Sequence, residues 1–442
     1  MQWCSRVVKL RLRIGQLTRS ARPPRRLDVQ REVRRAPGDP PAIRPPTDQW
    51  TSINRLCVLR MCRPNSLQEL ASTAVGALIR RPSIIATAAA SCCLVLLSIP
   101  VRPLRAQPPL VVIPDALSAC ESCRIVLQAE SEFTISSSET GRVIWPRVVR
   151  LENGNFVMGG FGVAGVRLLD RSGRELPGLA LDSLGRDIHL SAVPGNGILV
   201  WAGGPMRSVF RISPDWVTTA QLKLEASVFD IRAISRDSFL VQGLFRTPDR
   251  IGKPVHLASF SDGLLQGFAE DDSPSMPGHP ERNRRALGYA DSGRVWVARH
   301  NAYEAWRYTY AGVPEVHFRR DVEWFPTWAG YVEGEGDRVP PRPFLLGVHE
   351  LHRDVVITAI LVAEAEWRPN PRALPRNLSD IYDTVLEALR VSDGSVLAST
   401  RIDDAVAGFV GPQSIYFVRA DRSSRHVFVR VSRVQLFGKP AP

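Results

Sequence analysis

The sequence predicts an all-β fold built from repeated units, and three observations point to that class. After residue 108 no segment sustains the apolar period of a helix. What recurs instead is a short apolar strand, a tight polar turn, a second apolar strand, and a third strand that ends in its own turn. The first turns of the first three units lie 43 and 41 positions apart, from Asn153 to Asn196 and from Asn196 to Asp237. Repeats of roughly 40 to 50 residues with several strands each indicate a β-propeller. Six units are present, so a six-bladed propeller is expected over residues 115–437.

The units follow one another in order. The first, PRVVRLENGNFVMGGFGVAGVRLLDRSGREL, turns at Glu152-Asn153-Gly154-Asn155, where Asn-Gly is a strong hairpin signal. Its third strand, Val166 to Leu169, meets the turn Asp170-Arg171-Ser172-Gly173. The second unit turns at Pro194-Gly195-Asn196-Gly197 and the third at Ser235-Arg236-Asp237. The fourth turns at Asp291-Ser292-Gly293, the fifth at His352-Arg353-Asp354 and the last at Gly411-Pro412-Gln413. In the first, second and fourth units the third strand starts at a similar offset from the first turn (VRLLDRSG, VFRIS, AWRYTYAG). A generic β-rich domain or a pair of sandwiches, the rival readings, has no reason to repeat that offset. Later units are longer because Pro- and charge-rich inserts separate their strands.

A ring must hide its ends, since free edge strands template aggregation. The last unit supplies three strands before the chain ends, and RIVLQAESEF (Arg124 to Phe133) stands alone ahead of the first unit. That orphan is expected to complete the last blade and join the two termini.

Charge divides the chain. The formal net charge is +13 over 442 residues, but 19 of the 57 Lys and Arg precede Pro108, against 5 of the 44 Asp and Glu. The remainder is close to neutral, which argues against nucleic acid as a partner. Residues 1–79 form a basic leader rich in Arg and Pro, expected to be disordered or to reflect a start site placed too far upstream of Met61 or Val75. Residues 80–106 read as a signal peptide: Arg80 and Arg81, an apolar run from Ile84 to Val101, and cleavage after Ala106. An uncleaved membrane anchor is the alternative, and the run is at the short end for a span. Either way the domain is expected outside the cytoplasm, periplasmic or secreted, and monomeric.

Only Cys120 and Cys123 of the seven cysteines lie beyond residue 106. A lipobox reading of Leu117-Ser118-Ala119-Cys120 fails because Arg102, Arg105, Pro108, Pro109 and Asp115 separate it from the apolar run. A zinc site lacks a second cysteine pair. A redox pair would open a helix, whereas a β-rich segment follows. In an oxidising compartment the expectation is a structural disulfide, Cys120–Cys123, at the mouth of the closing strand.

A signal ending in Arg-Ala-Gln, a Cys-x-x-Cys just inside it and strand–turn–strand units ending in Asp-x-x-Gly-type turns resemble the secreted bacterial six-bladed propellers related to NHL-repeat proteins. The resemblance covers about residues 115 to 437 and departs from the pattern in the long fourth and fifth units. It implies an extracytoplasmic propeller and supplies no catalytic residues.

Candidate channel or rim residues are Arg147, Asp187, His189, Asp230, Arg232, Arg285, His349 and His352. Asp187 and Asp230 hold equivalent early positions, and His189 and Arg232 follow each by two residues on the same strand face. This mixed-charge set suggests ion pairs between blades and no metal cage. Trp324 and Trp328, in an insert with Trp306 and Tyr331 nearby, suggest aromatic anchors for a sugar or peptide. The expected function is therefore binding of a protein, peptide or glycan, with no catalytic residue and no cofactor. The alternative is a hydrolase or lactonase at the channel mouth, which would need calcium and several converging oxygen ligands. No Gly-x-Ser-x-Gly, His-Glu-x-x-His or P-loop sequence occurs.

Overall fold

The computed structural model describes residues 108–114, 120, 122–136, 145–161, 163, 165–177, 188–203, 206–245, 247, 249–270, 284–290, 293–328, 339–369, 377–421 and 426–438. The leader (1–79) and the export segment (80–106) lie outside the described residues, as do Asp187 and Tyr331.

The described residues form six sheets, each one blade. Two strands, β1 (Leu110–Ile113) and β2 (Arg124–Ser136), come first and join blades that form far later in the chain. Blade 1 holds β3 (Trp145–Arg150), β4 (Phe156–Phe161) and β5 (Val166–Leu169). Blade 2 holds β6 (Ile188–Val193), β7 (Gly197–Ala202), β8 (Ser208–Ile212) and β9 (Thr218–Lys223). Blade 3 holds β10 (Ala226–Ala233), β11 (Ser238–Phe245), β12 (Val255–Ser259) and β13 (Gly263–Phe268). Blade 4 holds β14 (Arg285–Tyr289), β15 (Arg294–Arg299), β16 (Glu304–Thr309) and β17 (Pro314–Arg320). Blade 5 holds β18 (Phe344–His352), β19 (Val355–Ala363), β20 (Tyr382–Arg390) and β21 (Ser395–Ile402). Blade 6 holds β22 (Val406–Phe409), β23 (Ser414–Asp421) and β24 (His426–Phe437).

The first strand of each blade lines the centre. Neighbouring inner strands touch in ring order, and β22 touches β3, which closes the circle. The core lies between blades. Val157 and Leu168 of blade 1 pack with Leu190 and Val200 of blade 2, and Phe156 and Met158 pack with Val418 and Val429 of blade 6. Burial from both sides explains strands such as GILVWA (β7), whose six residues are all buried.

Local sequence sets the hairpins. Gly195 and Asn196 both have positive φ, 84° and 65°, which is the backbone of a type I′ turn and explains the Gly-Asn pair between β6 and β7. Gly288 answers to packing: a Cβ there would sit 1.6 Å from the Val348 carbonyl oxygen, so β14 and β18 approach as closely as they do only around glycine.

The orphan strand closes the ring as expected. β2 pairs antiparallel with β24 from Arg124↔Phe437 to Ser136↔His426, with one bulge between Ala129 and Ser131. The Cys120–Cys123 disulfide is formed immediately before it.

One element escaped the sequence. β1 lies ahead of the expected domain start at 115 and pairs parallel with β17, Leu110↔His317 through Ile113↔Arg320. Ile113 is fully buried among residues of blades 4 and 5. The Arg320 guanidinium donates to the Pro114 carbonyl and pairs with the Glu387 carboxylate, so one buried cation anchors both β1 and blade 5.

Candidate functional site: the channel and its mouth

The inner strands build a channel with two parts. Mid-channel is a cavity of about 80 Å³ lined by Arg147 (β3), Asp230 and Arg232 (β10), Tyr289 (β14), His349 (β18) and Phe409 (β22), among others. Every blade contributes, since Leu190 and Ser191 of β6 complete the wall.

One side of this cavity is an aromatic and cationic stack. The His349 ring lies flat on Phe409, with centroids 3.5 Å apart and planes 12° apart, and Tyr289 packs at 5.0 Å. The Arg232 guanidinium carbon sits 3.8 Å from the Tyr289 ring centroid, and its Nη2 donates to the Leu287 carbonyl. Its Nη1 is buried without a hydrogen-bond acceptor on the protein. Burial pushes the His349 imidazole well below its ordinary value, and the Arg232 charge pushes in the same direction, so the ring is neutral at physiological pH.

Blade 1 and blade 6 form the opposite side. The Tyr416 hydroxyl donates to the Pro146 carbonyl at 3.0 Å. Burial raises its pKa, opposed by the Arg147 charge, while Asp230 adds to the rise. Asp230 accepts from the Ile231 amide at 3.0 Å and forms no ion pair with the described residues.

The second part is a wider pocket of about 410 Å³ lined by His189, Trp201, Arg207, Phe229 and Arg284, with Gly203 and residues 226–228. His189 and Phe229 immediately precede channel-lining residues on β6 and β10, so this pocket sits at the end of the channel where the inner strands begin. His189 and Trp201 face each other across the β6–β7 ladder. Arg207 is exposed and holds a left-handed backbone (φ 43°), an uncommon state for a residue with a Cβ and one that recurs at functional sites. The Arg284 guanidinium carbon lies 5.9 Å from the Phe229 ring centroid.

The structure separates residues that the sequence grouped. Asp230 and Arg232 line the channel, but His189 lines the outer pocket, and Asp187 lies outside the described residues. The expected equivalence of blades 2 and 3 breaks at a bulge: Val228 pairs with Gly243 and Asp230 with Gln242, leaving Phe229 unpaired. Among the described residues Asp230 makes no ion pair, so the expected pair is not seen there. Arg147 and His349 do reach the channel, Arg285 is buried at the start of β14, and His352 is exposed at the opposite end of β18. Among the described residues no group of three or more His, Cys, Asp or Glu side chains is placed to hold a metal ion.

The aromatic insert also divides. Trp328 is 4% exposed, and its indole N–H donates to the Pro343 carbonyl at 2.7 Å, so it packs into the protein and offers no face to a ligand. An indole with a carbonyl in reach is more stable buried than wet. Trp324 is 36% exposed and borders a separate groove with Val362, Val385 and Arg401.

Trp201, Arg207, Phe229 and Arg284 were not legible as site residues. Trp201 sits in a wholly apolar strand and reads as core, and Phe229 reaches the pocket from the bulge.

Six four-stranded or near four-stranded sheets around a central channel define the chain as a six-bladed β-propeller. No protein family matches its sequence, and no curated protein does. Among solved structures it is similar to a member of the DUF4221 family from Bacteroides vulgatus, at 10% identity and a TM-score of 0.47 over 72% of this chain and 99% of that one. It is also similar to virginiamycin B lyase from Staphylococcus aureus, at 10% identity and a TM-score of 0.39 over 70% and 99% of the two chains. BamB from Moraxella catarrhalis follows at 11% identity and a TM-score of 0.34 over 70% and 100%. Likenesses this distant do not bear on function, and the architecture rests on the strand pairing itself.

Proposed function

We propose that this propeller is an exported, non-catalytic binding module that takes an acidic segment of a partner protein into the pocket at the channel mouth. The observation that carries the reading is the lining of that pocket: two arginines, Arg207 and Arg284, a histidine and two aromatic residues, with no carboxylate among the described residues that line it. Guanidinium forks match carboxylates in geometry and charge. A neutral sugar would need an open aromatic platform, and the Phe229 ring already carries Arg284. Export is supported by the signal-like segment ending at Ala106 and by the Cys120–Cys123 disulfide, which persists in oxidising compartments.

Arrays of acidic, neutral and basic peptides, with a parallel glycan array, test this directly. Acidic peptides bind, and binding weakens as salt rises. Arg207→Gly removes the guanidinium while glycine accepts the left-handed backbone, so binding is lost and the fold is kept. Retained binding in that variant, or selection of neutral glycans, refutes the assignment, as does metal-dependent lactone turnover. The N-terminal sequence of the protein recovered from its native host tests export, with Gln107 expected first.

A further inference from the structure

We infer that the mid-channel cavity is a binding site for one small oxyanion, held between Arg147 of blade 1 and Arg232 of blade 3. The site is separate from the outer pocket and does not depend on what that pocket binds.

The donors come first. Arg147 lines the cavity, and its half-buried side chain makes no hydrogen bond or ion pair with the described residues. Arg232 is fixed by its stack on Tyr289 and by the Leu287 carbonyl, yet its Nη1 remains buried with no acceptor on the protein. A buried guanidinium N–H left unpaired is costly, and a charged donor more so than a neutral one. Two guanidiniums from different blades therefore line one cavity that is partly open to solvent.

The charge balance selects the sign of the ligand. Against two guanidiniums the described lining of the cavity has one carboxylate, Asp230, which accepts from the Ile231 amide. His349 adds no charge and Tyr416 spends its proton on Pro146. The described lining residues carry an excess of one positive charge. A cation would meet two like charges, and a neutral molecule would leave the excess positive charge uncompensated.

Size sets the class. A volume near 80 Å³ is about half that of a cavity of roughly 150 Å³ that takes up a benzene, so an ion of a few heavy atoms fits it. Planar carboxylates and tetrahedral phosphate or sulfate all match the guanidinium fork. The channel centre is also rigid, because His349 stacked on Phe409 and Arg232 stacked on Tyr289 leave little freedom to the wall.

The experiment titrates the purified full-length protein with sodium formate, phosphate or sulfate at constant ionic strength against sodium chloride, following melting temperature and binding heat. The expected result is a saturable rise in melting temperature with one ion bound per chain for at least one of the three, and the most effective ion identifies the shape preferred. Arg147→Gln weakens binding by about tenfold or more, the worth of one charged hydrogen-bonding partner. Asp230→Asn tightens it, since a like charge is removed while the side chain keeps an acceptor for the Ile231 amide. This second variant decides the matter should Arg147→Gln fail to fold. No saturable rise with any of the three ions overturns the inference. So does binding unchanged by Arg147→Gln, or binding weakened by Asp230→Asn.

Discussion

The Glu130 carboxylate lies 3.0 Å from Arg150 Nη1 and 2.9 Å from Arg433 Nη2, and it also accepts from the Ser414 hydroxyl at 2.8 Å. Glu130 belongs to β2, Arg150 to blade 1, and Ser414 and Arg433 to blade 6. One side chain from the N-terminal strand thus joins the last blade to the first. It sits where the β2–β24 register shifts, and the bulge aims it at the seam.

Removing that side chain loosens the seam. Glu130→Ala leaves two arginines and a hydroxyl without their shared acceptor at a partly buried site, which costs about 1 to 3 kcal/mol. Chemical denaturation measures the loss. Hydrogen exchange is expected to rise first in β2 and β24, the strands that Glu130 ties.

The disulfide acts on the same region but weakly. Cys120 and Cys123 are three positions apart, so the loop closed is short and the unfolded chain loses little entropy. Cys120→Ala paired with Cys123→Ala costs about 2 kcal/mol or less. A melting curve with and without reductant checks it, and a collapse of the fold on reduction would contradict the local role.

The blade 4–5 interface depends on a buried charge. Arg320 Nε lies 3.0 Å from Glu387 Oε2, both side chains are almost wholly buried, and the Tyr303 hydroxyl donates to the same carboxylate at 2.6 Å. Glu387→Gln strands the Arg320 cation in the core at a cost of about 3 to 5 kcal/mol. Replacing both residues with apolar side chains of similar size is expected to recover much of that loss, and a double-mutant cycle measures it.

Acid is expected to destabilise the propeller through its histidines. His256 is buried against Phe245, with ring centroids 3.9 Å apart and neither ring nitrogen hydrogen-bonded, and desolvation lowers its pKa to about 4. Desolvation also holds His300 and His349 well below the ordinary value. Between pH 6.5 and about 4 the unfolded imidazole binds a proton that folded His256 refuses. Stability therefore rises with pH across that window and is lost as pH falls through it. The His256 share is roughly 3 kcal/mol. Urea midpoints from pH 7 to pH 4 measure the slope, and His256→Leu is expected to flatten it.

The local rules of β-structure explain why so much of this architecture could be read in advance. Gly195-Asn196 specifies its turn through two positive φ angles, and the apolar run of β7 specifies a strand covered on both faces. β2 was recognisable because it had no hairpin partner nearby while the last unit lacked a strand. β1 was not, since four apolar residues carry no period and their partner, β17, lies some two hundred positions away. The site was harder. One unpaired residue, Phe229, moves every later side chain of β10 to a different register from that of β6, and spacing alone assumes no bulge.

By itself the sequence determined the strand class, the number of blades, the turns, the closing strand and the cysteine staple, because hairpin ladders and turns are set by residues close together in the chain and the closing strand was the one without a hairpin partner. Only the tertiary structure decided that Trp328 is core, that His189 and Arg232 belong to different cavities, and that Arg147 and Arg232 line the same one. Those relations depend on closing the ring, which brings side chains from blades far apart in sequence to a common centre at distances no local pattern encodes.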